Sequence, residues 1–264
     1  MDDLRFRTAA DIAAEAEALR RRLRQCLRAK SPGAPAIHRL RVTCKRLRSL
    51  VRLCRRPRDN KQWRRHDHAL RNVAANFGAE RDRKVLQDTA SLLQKNAHSQ
   101  RTQAACQRLL TQLSLQRRVA CPRDETAEAL ALAPLPTTIM PTGKLNRGLQ
   151  RTHRRCRKLA RYVIDGGTGT TQLHALRKQV KYLGYQLELA VVPTTAVTRQ
   201  RKRLAELGSQ LGWINDLAVL EQRLPTCAGL DAADAALIAT LAARLRLQAI
   251  ERAARLAALQ FKRH

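Results

Sequence analysis

Apolar residues recur at intervals of three and four along nearly the whole chain, the spacing of one face of an α-helix. Leu40, Cys44, Leu47, Val51 and Cys54 form one such face. The pattern predicts helices over residues 8–30, 36–55, 61–77, 82–118, 143–164, 171–191, 194–211 and 232–262, the fourth divided near Asn96. Breaks are expected at Ser31-Pro32-Gly33, Pro57, Gly78, Asp165-Gly166-Gly167 and Pro193, where Pro and Gly interrupt the period. Aromatic residues make up 3% of the chain and few windows are rich in β-branched residues, so a sheet has little support. The expected fold is all-α. Residues 133–142, with Pro134, Pro136 and Pro141, carry no helical pattern and divide the chain near its middle as a linker.

The two parts on either side, 8–132 and 143–262, resemble each other. His38 is followed at offsets of three, seven and nine by Arg41, Lys45 and Leu47, and His174 at the same offsets by Arg177, Lys181 and Leu183. Further on, Gly78, Asp82, Val85 and Leu86 match Gly212, Asp216, Val219 and Leu220. The two Asp residues lie 44 and 42 residues beyond their His. So many matches in one order point to a duplication, hence to two similar helical bundles in one chain of 264 residues.

Charge changes the picture most. With 52 Lys+Arg against 21 Asp+Glu, the net charge is +31. A compact fold with that excess repels itself and calls for a polyanion. Most of the cations are Arg, whose guanidinium stays charged and makes bidentate contacts to phosphate oxygens. They form lines. His38, Arg41, Lys45, Arg48, Arg52 and Arg55 follow a three/four spacing along one helix face, a stripe of roughly 25 Å at 1.5 Å per residue. Arg147, Arg151, Arg154, Lys158 and Arg161 repeat the device after the linker. His174, Arg177, Lys178 and Lys181 add a further line, and the first helix contributes Arg21, Arg24 and Arg28. A solvated face normally mixes signs, because like charges at i,i+4 destabilise a helix. These lines are almost free of Asp and Glu, which suits a linear phosphate polymer.

Other chemistry is sparse. The seven Cys lack a C-x-x-C pair, and Cys26, Cys44, Cys54, Cys106 and Cys156, inside helical patterns, read as small core residues in a reducing cytoplasm, not as disulfide or zinc ligands. No secretory signal or membrane-length apolar run is evident, and no metal or cofactor is expected. Asp82 and Asp216 read as helix caps or partners of a nearby Arg. His66-Asp67, near His68, is the core of a metal-dependent phosphohydrolase signature, but no further ligand set accompanies it. Phosphate-loop and nucleophile-elbow motifs are absent, and Gly166-Gly167-Thr168-Gly169 reads as an interhelical loop.

His38-Arg39-Leu40-Arg41-Val42 with Lys45-Arg46-Leu47-Arg48, and His174-Ala175-Leu176-Arg177 with Lys181-Tyr182-Leu183, Tyr185 and Glu188, resemble the doubled motif of the CHAD domain family. The resemblance spans roughly residues 8–260 and includes both Gly-to-Asp-Val-Leu segments. It implies two four-helix bundles related by a pseudo-two-fold axis, with a basic central groove that binds inorganic polyphosphate, and, for some members, association with polyphosphate granules. It places phosphate contacts at His38, Arg41, Lys45 and Arg48 and at His174, Arg177 and Lys181. Gly184 departs from the pattern where an Arg is usual, and so does Gln179-Val180. No triphosphate-tunnel domain precedes the matched region, so a fused catalytic function is not expected. The alternatives are a sequence-tolerant RNA or DNA binder, which the few scattered aromatics do not favour, and the phosphohydrolase using His66 and Asp67.

Overall fold

A computed structural model describes residues 4–29, 32–54, 61–116, 123–135, 142–227 and 229–261. The fold is all-α. Among the described residues ten α-helices follow one another: α1 Ala9–Leu27, α2 Ala34–Cys54, α3 Lys61–Asn76, α4 Gly78–Lys95, α5 Gln100–Leu115, α6 Glu125–Leu132, α7 Thr142–Ile164, α8 Thr170–Ala190, α9 Thr195–Arg223 and α10 Ala232–Phe261. No strand occurs among them; an isolated antiparallel bridge joins Phe6 to Val191. No described helix is long and apolar enough to cross a membrane.

Local chemistry sets the helix starts. Thr8 caps α1 in a reciprocal capping box with Asp11. Ser99 caps α5 and Asp124 caps α6, each through its side-chain oxygen. The 82–118 segment is two helices, parted at residues 96–99, where the division near Asn96 is expected. Three elements differ from the sequence expectation. Helix α4 begins at Gly78 itself. The short α6 was not expected. α9 runs on through Gly212 to Arg223, because buried Leu207, Leu211, Ile214, Leu217 and Leu220 keep its apolar period intact across the glycine. Gly166, at φ 87, takes the left-handed conformation just after α7. The expected breaks at Ser31 and Pro57, the stripe's Arg55, and most of the 133–142 linker lie outside the described residues.

The chain forms two compact units. The first gathers residues 1–78, 121–158 and 178–206. In it α2 packs on α1 and α3, and α6 packs on α3 and α1. α7 comes so close to α2 that a Cβ on Gly148 would lie 2.1 Å from the Leu53 carbonyl oxygen. Gln186 on α8 donates to the Ser49 carbonyl of α2 (3.2 Å). The second unit gathers residues 79–120, 159–177 and 207–264. Its core joins Leu93, Leu109 and Leu113 from α4 and α5 with Leu217 and Leu220 of α9 and Ile238 and Leu241 of α10. Cys44, Cys54, Cys106 and Cys156 are buried free thiols, the small core residues expected, whereas Cys26, expected with them, is only half-buried near the end of α1. Burial pushes Cys44 and Cys54 up to about 12 and Cys106 up to about 11.

Candidate functional site

The site begins with the two faces of α2. Leu40, Cys44, Leu47, Val51 and Cys54 are all buried. That fixes the helix rotation and sets the basic stripe beside the core: His38 is exposed, and Arg41, Lys45, Arg48 and Arg52 are half-buried. Half-burial of four cations in a row needs counter-ions or polar partners. Asp67, on α3, supplies one. It accepts from Arg48 Nε (3.0 Å), from Arg52 Nε (3.2 Å) and from Arg52 Nη2 (2.8 Å). Burial alone would raise the Asp67 carboxyl, but the hydrogen bonds and charges of Arg48 and Arg52 outweigh it and hold the group below the usual carboxylate range. The Arg52 guanidinium also lies 4.6 Å from the centre of the Tyr182 ring of α8. Arg41 donates to the carbonyl of Ala74, in the last turn of α3, and so helps to cap that helix.

Further cations converge on the same place. The Lys178 ammonium is held below its ordinary range, first by burial and then by the charges of Arg52, Arg71, Arg48 and Arg155. Thus Arg48 and Arg52 of α2, Arg71 of α3 and Arg155 of α7 all act on Lys178 of α8, and Asp67 of α3 binds two of them, Arg48 and Arg52. Arg71 and Arg155 were not singled out in the sequence. Arg71 sits four residues after Asp67 on α3, a spacing that could have flagged it. Arg155 lies one position off the α7 line formed by Arg147, Arg151, Arg154 and Lys158, all of which are exposed.

The other candidates are placed as follows. Arg21 and Arg24 are exposed on α1, and Arg28 is exposed just beyond its end. Lys181 is half-buried on α8. Arg46, of the α2 motif, pairs instead with Glu188, lies 5.9 Å from the Tyr185 ring centre, and shares Glu188 with Arg201 (3.7 Å). Tyr185 and Glu188, both part of the sequence motif, thereby join α8 to α2.

His174 and Arg177 belong to the second unit. His174 Nδ1 is 2.7 Å from Asn215 Oδ1, and Asn215 Nδ2 donates to Asp216 Oδ1 (3.2 Å). Arg81 pairs with Asp82 (2.9 Å) and reaches Asp216 (3.7 Å). The expected Arg partner of both Asp residues is therefore one residue, and the matching segments of the two repeats meet there.

His66 is buried and donates from its ring to the carbonyl of Leu130 on α6. Arg20 donates to the carbonyl of Leu132, the last residue of α6, from Nε (2.8 Å). His66 therefore secures α6, while Asp67 faces the arginines. Burial, with the charge of Arg20, outweighs the Leu130 bond and holds the imidazole below its ordinary range. Among the described residues no group of three or more His, Cys, Asp or Glu is placed to hold a metal ion.

No curated protein matches the chain significantly. The family model for the CHAD domain matches residues 10–225, across both sets of basic helices described above, and the chain belongs to the CHAD domain family.

Proposed function

We propose that this chain binds inorganic polyphosphate without chemically altering it, through the basic cluster of the first unit. The observation that carries the reading is the gathering of Arg48, Arg52, Arg71 and Arg155, from three helices, about Lys178 on a fourth, with the Asp67 carboxylate bound to two of them. Crowded like charges are costly when empty and rewarding when a polyanion fills the space between them. Asp67 and Tyr182 keep the Arg52 fork in one orientation, so less side-chain freedom is lost when phosphate oxygens arrive. His38, Arg41 and Lys45 continue the cationic line along α2, and Lys181 extends it on α8. A linear polymer of phosphates matches such a line without any base reading.

Membership of the family supports the same ligand. Nucleic acid fits less well. Binding single strands without sequence preference relies on aromatic faces open to the bases. Tyr182, the aromatic ring against Arg52, is buried (7% exposed). The positions of His66 and Asp67 support a non-catalytic reading, since one secures α6 and the other is bound by two arginines. The proposed setting is the cytoplasm, at polyphosphate granules.

A competition titration tests this. The protein is loaded with labelled long-chain polyphosphate at physiological salt. Unlabelled polyphosphate, single-stranded RNA or duplex DNA is then added at equal phosphate concentration. Efficient displacement by polyphosphate alone is the expected result. Equal displacement by RNA or DNA would make the cluster a general polyanion surface.

A further inference from the structure

Helix α3 carries a second set of cations, roughly a third of a turn around its axis from Asp67 and Arg71. Lys61, Arg64, Arg65 and His68 share that face, and all four are exposed. Among the described residues no carboxylate pairs with Lys61, Arg64 or Arg65, whereas Arg48 and Arg52 share Asp67. The four line a cavity of about 810 Å³ between α3 and α6, both in the first unit. That volume lies within the roughly 300–1,000 Å³ usual for small-molecule sites. The lining between the two helices is apolar: Ala69 and Ala127 are buried and Leu130 is half-buried. The α6 side carries the opposite sign. Asp124 lines it with Thr126, and Asp124 Oδ1 accepts from the Ala127 amide (2.9 Å).

These surfaces select a ligand other than the polymer. A bare phosphate chain gains nothing from Ala69, Ala127 and Leu130, and Asp124 repels it. A purely apolar ligand makes no use of the cations. A ligand that uses every part has an anionic end, a flat apolar body and hydroxyl donors. We propose that this cavity binds a nucleoside di- or triphosphate. Lys61, Arg64 and Arg65 lie within four residues, about 6 Å of helix axis, and so suit a short run of phosphates. His68 adds a ring N–H donor. The base covers Ala69, Ala127 and Leu130, and the Asn72 amide, which both donates and accepts, meets its edge. The sugar hydroxyls donate to Asp124. A carboxylate has about four acceptor sites, so the bond from Ala127 leaves room for them. The site needs no polyphosphate at the Arg48–Lys178 cluster and stands or falls apart from it.

Titration calorimetry of the full chain at physiological salt tests this, with ADP, GDP, CDP and UDP compared against pyrophosphate. At least one nucleotide should bind about tenfold or more tighter than pyrophosphate, because only a nucleotide buries a base on the apolar lining. Arg64→Ala with Arg65→Ala should weaken nucleotide binding by about tenfold or more, the scale of two charge-assisted contacts. Thr126→Trp, at an exposed position of α6, should fill the cavity and block the nucleotide with every cation still in place. Circular dichroism establishes that each variant is folded. Arg155→Ala with Lys178→Ala should leave nucleotide affinity unchanged and weaken polyphosphate binding alone. Pyrophosphate binding as tight as that of every nucleotide would make the face a plain cation patch and overturn the proposal. So would nucleotide binding that survives either folded cavity variant, that is lost with Arg155 and Lys178, or that does not occur at all. None of these results bears on the polyphosphate reading, which fails instead if the wild-type chain does not bind polyphosphate.

Discussion

Asp67 accepts three hydrogen bonds from two arginines, Arg48 and Arg52, whose charges also act on Lys178. Side-chain exposure is 16% for Asp67 and Arg48 and 31% for Arg52, low enough that solvent screens the pair only in part. Asp67→Asn keeps the shape and removes the charge. It should destabilise the protein by about 1–3 kcal/mol at neutral pH, the scale of hydrogen bonds to charged groups, read as a lower urea midpoint. The pH dependence follows from the lowered carboxyl. Its contribution is present above the unfolded value of about 3.9 and is lost as pH falls through the lower folded value. The deficit of the variant should therefore close in strong acid. A deficit that persists there would assign the effect to packing. At neutral pH saturating polyphosphate should narrow it, because ligand phosphate takes over as counter-ion. The line of cations on α2 was legible from its spacing, since a helical period tells which residues share a face. The role of Asp67 was not, because His66-Asp67 reads as a ligand pair until α6 and the arginines are in place. Arg71 and Arg155 escaped for a related reason: convergence from separate helices leaves no mark in the period of any one of them.

Helix spacing is what holds that convergence together, and Gly148 controls one part of it. A Cβ there would sit 2.1 Å from the Leu53 carbonyl oxygen and 2.9 Å from its carbon, both rigid backbone atoms. Gly148→Ala should push α7 away from α2, with an overpacking cost of about 1–3 kcal/mol or more. Because Arg155 rides on α7 and Arg48 and Arg52 on α2, polyphosphate affinity should fall severalfold as well. Gly184→Ala is the control. It also lies within a helix, but a Cβ there meets nothing within 4 Å. It should leave binding unchanged and gain roughly 0.5–1 kcal/mol from helix propensity. Thermal midpoints and binding titrations on both variants check this, and equal behaviour of the two would refute the close-approach argument. Most helices were legible because their apolar residues repeat over many turns. α6 was not. It spans 8 residues, too few to be stable alone, and it depends on Arg20 and His66 reaching its carbonyls from α1 and α3. Nor was the continuation of α9 through Gly212, since a lone glycine costs less than the buried leucines beyond it return.

At the scale of the whole molecule, the net charge of +31 acts on the fold and on the ligand in opposite senses. Without ligand, repulsion among the cations loosens the compact state, and salt relieves it, the Debye length shrinking from about 30 Å at 0.01 M to about 10 Å at 0.1 M. The thermal midpoint of the free chain should therefore rise with salt over that range. Polyphosphate binding should weaken over the same range, because each phosphate neutralised releases counter-ions that added salt drives back. If the cluster of Arg48, Arg52, Arg71, Arg155 and Lys178 is the main site, the double-logarithmic slope of affinity against salt should be of order −4 to −5. A chain carrying Arg155→Ala and Lys178→Ala should show a slope shallower by about two. With sub-saturating polyphosphate the two trends meet. The thermal midpoint should be highest at low salt, where binding is tight, and converge on the ligand-free value as salt rises. Monomeric phosphate at equal phosphate concentration should not reproduce the low-salt gain, since single anions lack the linkage that lets one bound unit hold its neighbours at high local concentration. A free-chain midpoint that falls with salt would mean that Asp67, Asp216 and the other paired carboxylates outweigh the excess cations in setting stability. The charge would then be carried for the ligand alone, at little cost to the fold.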